Sequence, residues 1–172
     1  TVPLDETLIA LDDLVRAGKV HYLGASSMEA WRFVKAKERQ RELGLAEFIS
    51  MQNQYSLIAR EDERELIPYC AEVGVGLIPW SPLGRGKLAR PWGTTTNRSQ
   101  SDEIQRAFYQ QAVDSDEAVV NAVQQVAEEL GRPMAHVAIA WLRRQPAFSA
   151  PLIGATKVHH LTEAIAALDL VL

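Results

Sequence analysis

Cys70 is the one cysteine in a sequence of 172 residues, so no internal disulfide can form. No cysteine and histidine spacing resembles a zinc site either. Such cysteine usage suits a reducing compartment, and a cytoplasmic location is expected. No apolar run approaches the ~20 residues that a membrane-crossing helix needs. Basic residues are the minority: 18 Lys and Arg against 22 Asp and Glu give a formal net charge of -4. That balance argues against a nucleic-acid backbone as partner. No G-x-G-x-x-G follows the first strand-like run, and no G-x-S-x-G nucleophile turn occurs. Apolar residues, by contrast, are plentiful. A hydrophobic share of 47% with 23% charged is globular usage and excludes disorder as the main state.

Helical and strand-like patterns alternate along the chain. Leu8, Leu11, Leu14 and Val15 repeat at helical spacing over 4–17, with Gly18 as a stop. Asp12 and Asp13 on this stretch read as solvated charges, not as an acid/base pair. Residues 20–26 read as a buried strand, because their apolar residues do not alternate cleanly with polar ones. Ser26 with Glu29 has the form of a capping box before a helix over 27–43, which Gly44 stops. Residues 48–52 read as a second strand, 61–73 as a helix with a kink at Pro68, and 76–80 as a third strand. A polar segment over 84–101 follows, long enough to expect a functional role or disorder. Helices then start near Asp114 and at Pro133, the second apolar almost all round and therefore buried. A fourth strand, 150–154, leads into a last helix carrying Leu161, Ile165 and Leu168.

Strands separated by helices imply parallel β/α units. Four such units, opening on a helix as if a strand preceded it, fit the second half of a (β/α)8 TIM barrel better than a dinucleotide fold without its glycine fingerprint. In either architecture ligands meet the carboxyl ends of the strands. Ser26, Ser27 and Gln52 lie at such ends and can hydrogen-bond an amide, although Ser26 is equally readable as a plain N-cap. Trp80 offers a flat face for stacking. Ser81-Pro82-Leu83-Gly84-Arg85-Gly86-Lys87 follows, a glycine-bearing loop with two cations that can meet phosphates, or an ordinary turn behind a core Trp. Gly154-Ala155-Thr156-Lys157 opens the last helix, where free amides attract phosphate, or where Thr156 merely caps. His159 and His160 are adjacent and do not share a helix face, so a two-His metal site is not expected. Cys70 lies on a helix without a local activator.

Taken together, the segments Glu6-Thr7-Leu8 through Gly18-Lys19-Val20, Tyr22-Leu23-Gly24-Ala25-Ser26, Gln52-Asn53-Gln54-Tyr55-Ser56-Leu57, Trp80 through Gly86, and Pro151 through Lys157 resemble the aldo-keto reductases. The resemblance covers nearly the whole chain and looks most like bacterial members of the branch that includes the potassium-channel β subunits. It implies a (β/α)8 barrel that binds NADP(H) and reduces aldehydes and ketones by hydride transfer. By this resemblance Ser26, Ser27 and Gln52 hold the nicotinamide carboxamide and Trp80 stacks on its ring. Ser81, Leu83, Gly84, Arg85 and Gly86 form the pyrophosphate loop, and Arg98 reaches toward the adenosine. Gly154, Thr156, Lys157, His160 and Glu163 match the segment that binds the 2′-phosphate and adenine. His160 stands where related members often have Gln or Arg, and Ala164 where an Asn often contacts adenine.

The family's catalytic Asp, Tyr, Lys and His match no residue of this sequence. The expectation is therefore a C-terminal, cofactor-binding half over 1–172, with the catalytic half upstream and no catalytic residue here. Its partners would be a small carbonyl substrate and the N-terminal half of the same barrel. Two alternatives are a non-catalytic, regulatory NADP(H)-binding protein and an inactive half-barrel that self-associates.

Overall fold

The computed structural model describes residues 2–94 and 113–172. Within them the chain divides into two compact units. The first comprises the described residues of Thr1–Asn53, Glu61–Pro79 and Pro146–Ala150, and the second those of Gln54–Arg60, Trp80–Gln145 and Pro151–Leu172.

The first unit is an α/β unit. It runs α1 (Leu4–Arg16), β1 (Leu23–Ser26), α2 (Ala30–Leu43), β2 (Phe48–Gln52), a 3-10 turn (Glu61–Arg64), α3 (Leu66–Glu72) and β3 (Gly76–Leu77). The strands pair in parallel in the order β1-β2-β3. Leu23, Ala25, Met51 and Leu77 are buried. Phe33 of α2 meets Phe48 of β2 and Tyr69 of α3 with ring centroids 6.2 and 6.0 Å apart. Helix α2 stops where expected, because Gly44 adopts the left-handed conformation (φ 64°) open to glycine at little cost.

Several local expectations are corrected. β1 is shorter than 20–26 and alternates, with Leu23 and Ala25 buried and Gly24 and Ser26 exposed. Small residues on the open face allow close strand approach, and a Cβ on Gly24 would lie 2.5 Å from Ser50 Oγ. The helix expected over 61–73 is interrupted at Glu65 (φ -142°), between the 3-10 turn and α3, and Pro68 stands third in α3, where no intrahelical N–H is required. Asp12 is not a solvated charge. It is 5% exposed, accepts the Ala46 N–H at 2.8 Å and pairs with Arg16. Those contacts, the Ala46 amide first, hold its carboxyl below the usual Asp value. The fourth strand shrinks to a single parallel bridge from Phe148 to Leu77, closed by Ser149 N–H donating to Leu77 O at 2.9 Å. Pro151, without an N–H, cannot extend that ladder. Three regular strands stand among the described residues instead of four.

The second unit is helical. It contains a kinked stretch (Gly84–Ala89) whose 3-10 turns are interrupted by the non-helical Arg85 and Gly86, then α4 (Val113–Leu130), α5 (Met134–Arg143), α6 (Val158–Ala166) and a closing 3-10 turn (Ala167–Asp169). Leu88, Val120, Val123, Ala127, Met134, Val137 and Ala138 form its core. The expectation that α5 is buried almost all round holds: Met134, His136 through Ala140, and Leu142 are all buried.

Candidate functional site

In the first unit the strand ends carry hydroxyls, and their geometry differs from a capping box. The N-cap of α2 is Glu29 and receives no side-chain cap. Ser26 Oγ instead donates to the carbonyl oxygen of Gln52 at 2.9 Å, and Ser27 N–H donates to the same oxygen at 3.0 Å. Ser27 has φ 42°, a left-handed backbone for a residue with a Cβ. Ser26, Ser27 and Gln52 are thus brought together at the carboxyl ends of β1 and β2, with both serines exposed. Beneath them Asn53 Nδ2 donates to Asp62 at 2.7 Å. Burial raises the Asp62 pKa, against the lowering effect of that hydrogen bond. Cys70 is fully buried, and burial pushes its thiol up to about 11, so it is not an activated nucleophile.

In the second unit Trp80 is half-buried and pairs with Gln54 through a parallel bridge. The loop after it is strained. Ser81 (φ 54°) and Arg85 (φ 55°) are left-handed without being glycine, and Gly84 (φ 53°) and Gly86 (φ 99°) flank Arg85. Leu83 precedes this run on the right-handed side (φ -101°, ψ 18°). A right-handed residue followed by left-handed ones is the turn geometry that lines anion-binding concavities with backbone amides. The loop is closed by Gly84 N–H donating to Ser81 O at 2.9 Å and Gly86 N–H donating to Leu83 O at 2.8 Å. A Cβ on Gly84 would overlap the Ile58 side chain, so the loop backbone sits tightly against that residue.

Lys87, expected as a second phosphate cation, is committed elsewhere. Its Nζ lies 2.7 Å from Asp116 of α4, with side-chain exposures of 15% and 4%, and 5.5 Å from the Trp92 ring centroid. It fastens the loop to α4. The sequence contained both residues but no sign of the pair, because 29 positions separate them.

The segment before α6 is different. Gly154, Thr156 and Lys157 are exposed, and a Cβ on Gly154 would meet nothing within 4 Å. Thr156 does not cap: Lys157 is the N-cap residue without a side-chain hydrogen bond, and Thr156 Oγ1 lies 3.5 Å from His160 Nδ1. The His159 and His160 rings meet edge to face, 4.4 Å apart, despite being adjacent. Among the described residues no group of three or more His, Cys, Asp or Glu is placed to hold a metal ion. Glu163 pairs at 2.9 Å with Nε2 of the buried His136, a contact between helices that no local pattern of residues marks. Arg98 lies outside the described residues. Among those residues no helix is long and apolar enough to cross a membrane.

The model of the aldo/keto reductase family matches residues 1–172. An aldo-keto reductase of Fusarium vanettenii is 44% identical over 168 residues, covering 97% of this chain and 45% of that protein. The versiconal hemiacetal acetate reductase of Aspergillus parasiticus is 44% identical over 169 residues, covering 97% of this chain and 49% of that protein. Among solved structures, a thermostable aldo-keto reductase in complex with the inhibitor epalrestat is similar with a TM-score of 0.73 at 24% identity. That likeness covers 99% of this chain and 51% of the other, and it speaks for the fold. The parallel α/β architecture is thus that of part of a (β/α)8 barrel, and the chain spans about half the length of the relatives it matches.

Proposed function

Because this chain belongs to the aldo/keto reductase family, we propose that it is the NADP(H)-holding half of an oxidoreductase that reduces aldehydes and ketones to alcohols. The catalytic Asp, Tyr, Lys and His, with the Tyr supplying the proton, belong, in this reading, to the other half of the barrel. When bound, the nicotinamide supplies the hydride. What this chain contributes is binding and orientation.

The residues present fit such a cofactor by the chemistry of their donors. Ser26 and Ser27 hydroxyls and the Gln52 side chain suit a carboxamide, which both donates and accepts. Trp80 supplies an aromatic face. Ser81, Leu83, Gly84, Arg85 and Gly86 suit a pyrophosphate, with Arg85 adding a fixed cation. Gly154, Thr156 and Lys157 lie open to solvent at a helix start, where a 2′-phosphate gains from amides and charge. His160 and Glu163 follow on the same helix, toward the adenine.

The observation that carries the reading is the strained loop. Two non-glycine residues, Ser81 and Arg85, sit in the left-handed region within five positions of each other, and Arg85 is flanked by two left-handed glycines. Strain of that kind costs about 1–3 kcal/mol per residue and persists where the surrounding structure enforces it for a ligand. The test is equilibrium binding of NADPH and NADH, followed by quenching of tryptophan fluorescence. The parent should bind NADPH more tightly. Lys157→Gln should weaken NADPH about tenfold, the magnitude of one charge-assisted contact, and leave NADH unchanged. No saturable binding of either nucleotide would overturn the proposal.

A further inference from the structure

Helix α5 is buried almost all round, and one of its buried residues is out of keeping with the rest. His136, 4% exposed, stands beside buried Val137, Ala138, Ile139 and Ala140. Its Nδ1 is buried with no hydrogen-bond partner among the described residues, and its Nε2 lies 2.9 Å from Glu163 Oε2 on α6. A carboxylate only accepts, so Nε2 carries the proton and donates. Leaving the other ring nitrogen unsatisfied is unfavourable in a buried site, and an apolar residue of similar size would avoid it. The imidazole is therefore better explained by what it holds than by packing. What it holds is largely outside the core, since the Glu163 side chain is 55% exposed. Glu163 also shares a helical face with His160, at i and i+3, and Thr156 lies four positions before His160 with its Oγ1 3.5 Å from His160 Nδ1. Ala164, next along, offers no polar side chain.

We propose that His136 is a positioning residue for Glu163. It holds one carboxylate oxygen so that the other accepts the 6-amino group of the cofactor's adenine, and it thereby sets a preference for adenine over a 6-oxopurine. This rests on the NADP(H) reading above. An amino group donates and suits a carboxylate, whereas a 6-oxo group presents a second acceptor and repels it. Without His136 the long Glu163 side chain must be ordered at the moment of binding, and that ordering weakens the contact by about 2- to 10-fold.

The experiment compares dissociation constants of NADPH and its hypoxanthine analogue, identical except for 6-oxo in place of 6-amino. The parent should favour NADPH about tenfold. His136→Phe, which keeps ring volume but has no donor, should lose most of that ratio by weakening NADPH alone. His136→Gln, which restores a donor, should recover it. Glu163→Ala should abolish the ratio, and adding His136→Phe to it, which also removes the buried imidazole left without its partner, should change the ratio no further. A parent that binds both dinucleotides equally would overturn the proposal. So would a His136→Phe protein that binds both more weakly by the same factor, which is what a purely structural role gives. Failure of the parent to bind either dinucleotide would overturn the NADP(H) reading itself, and this inference with it.

Discussion

The second unit holds two segments suited to phosphate, and they are built in opposite ways. The Trp80–Gly86 loop is crowded and strained: Gly84 is buried against Ile58, and Ser81 and Arg85 are left-handed. Lys87, next in sequence, locks the loop to Asp116. The Gly154–Lys157 segment is open, with no neighbour near Gly154 and no side-chain cap on the helix that follows. The first is organised before any ligand arrives, so binding there orders little. The second offers amides and a lysine that a ligand would have to arrange. A dinucleotide phosphate can use both: a rigid seat for the pyrophosphate in the middle of the molecule, and an adaptable one for the group that distinguishes NADPH from NADH.

The largest expected effect tests whether the first loop is truly fastened. Lys87→Met leaves Asp116, 3% exposed, without its partner, and breaking such a pair costs about 3–5 kcal/mol. Lys87→Met combined with Asp116→Leu should recover most of that loss, because it removes both buried charges. Urea unfolding of the single and double variants decides the matter. A loss below about 1 kcal/mol for the single variant would mean that the pair behaves as a surface contact, and the contrast between the two segments would fail.

Next in size is Gly84→Ala. Its Cβ would overlap Ile58 in a backbone at φ 53°. Left-handed strain, with a contact that the flexible end of the Ile58 side chain can largely relieve, gives about 1–2 kcal/mol of destabilisation, read again by urea unfolding. Near-neutrality would show that the loop yields easily and is no more preorganised than Gly154–Lys157.

How far the sequence anticipated this contrast follows from the kind of signal each feature leaves. Periodicity placed β2, the buried face of α5 and the stop at Gly44, because those are set by the order of apolar residues and by one glycine. The glycines and arginine of the Trp80–Gly86 loop were visible as residue types. The fastening by Asp116 was not, because nothing local marks a partner 29 positions away. Ser26 misled for a related reason. Its spacing to Glu29 fits a capping box, but the Gln52 carbonyl of the neighbouring strand took the hydroxyl instead. Asp12 looked like any helix-surface acid until the Ala46 amide was found against it. Pairings between elements were therefore the invisible part, and they are what separate a rigid site from an open one.

Arg85→Gly separates strain from binding. Glycine relieves the left-handed backbone at φ 55°, so stability should rise by up to about 1 kcal/mol. Loss of the guanidinium should weaken NADPH about tenfold. Stability and affinity then move in opposite directions, as they do where strain serves a ligand. If both fell together, Arg85 would be a structural residue of the loop and the strain would need another explanation.

The smallest effect belongs to the open segment, and its smallness is the point. Gly154→Ala introduces a methyl group that meets nothing within 4 Å, at a backbone outside the left-handed region. Stability should stay level or rise by up to about 1 kcal/mol, through lost freedom of the unfolded chain. NADPH affinity should hold or improve slightly, since a stiffer segment has less to order on binding. The same one-carbon change thus gives opposite signs at Gly84 and Gly154. A destabilisation at Gly154 as large as that at Gly84 would mean that this segment, too, is held in a single conformation before any ligand binds, and the division of labour between a fixed and an adaptable phosphate seat would be lost.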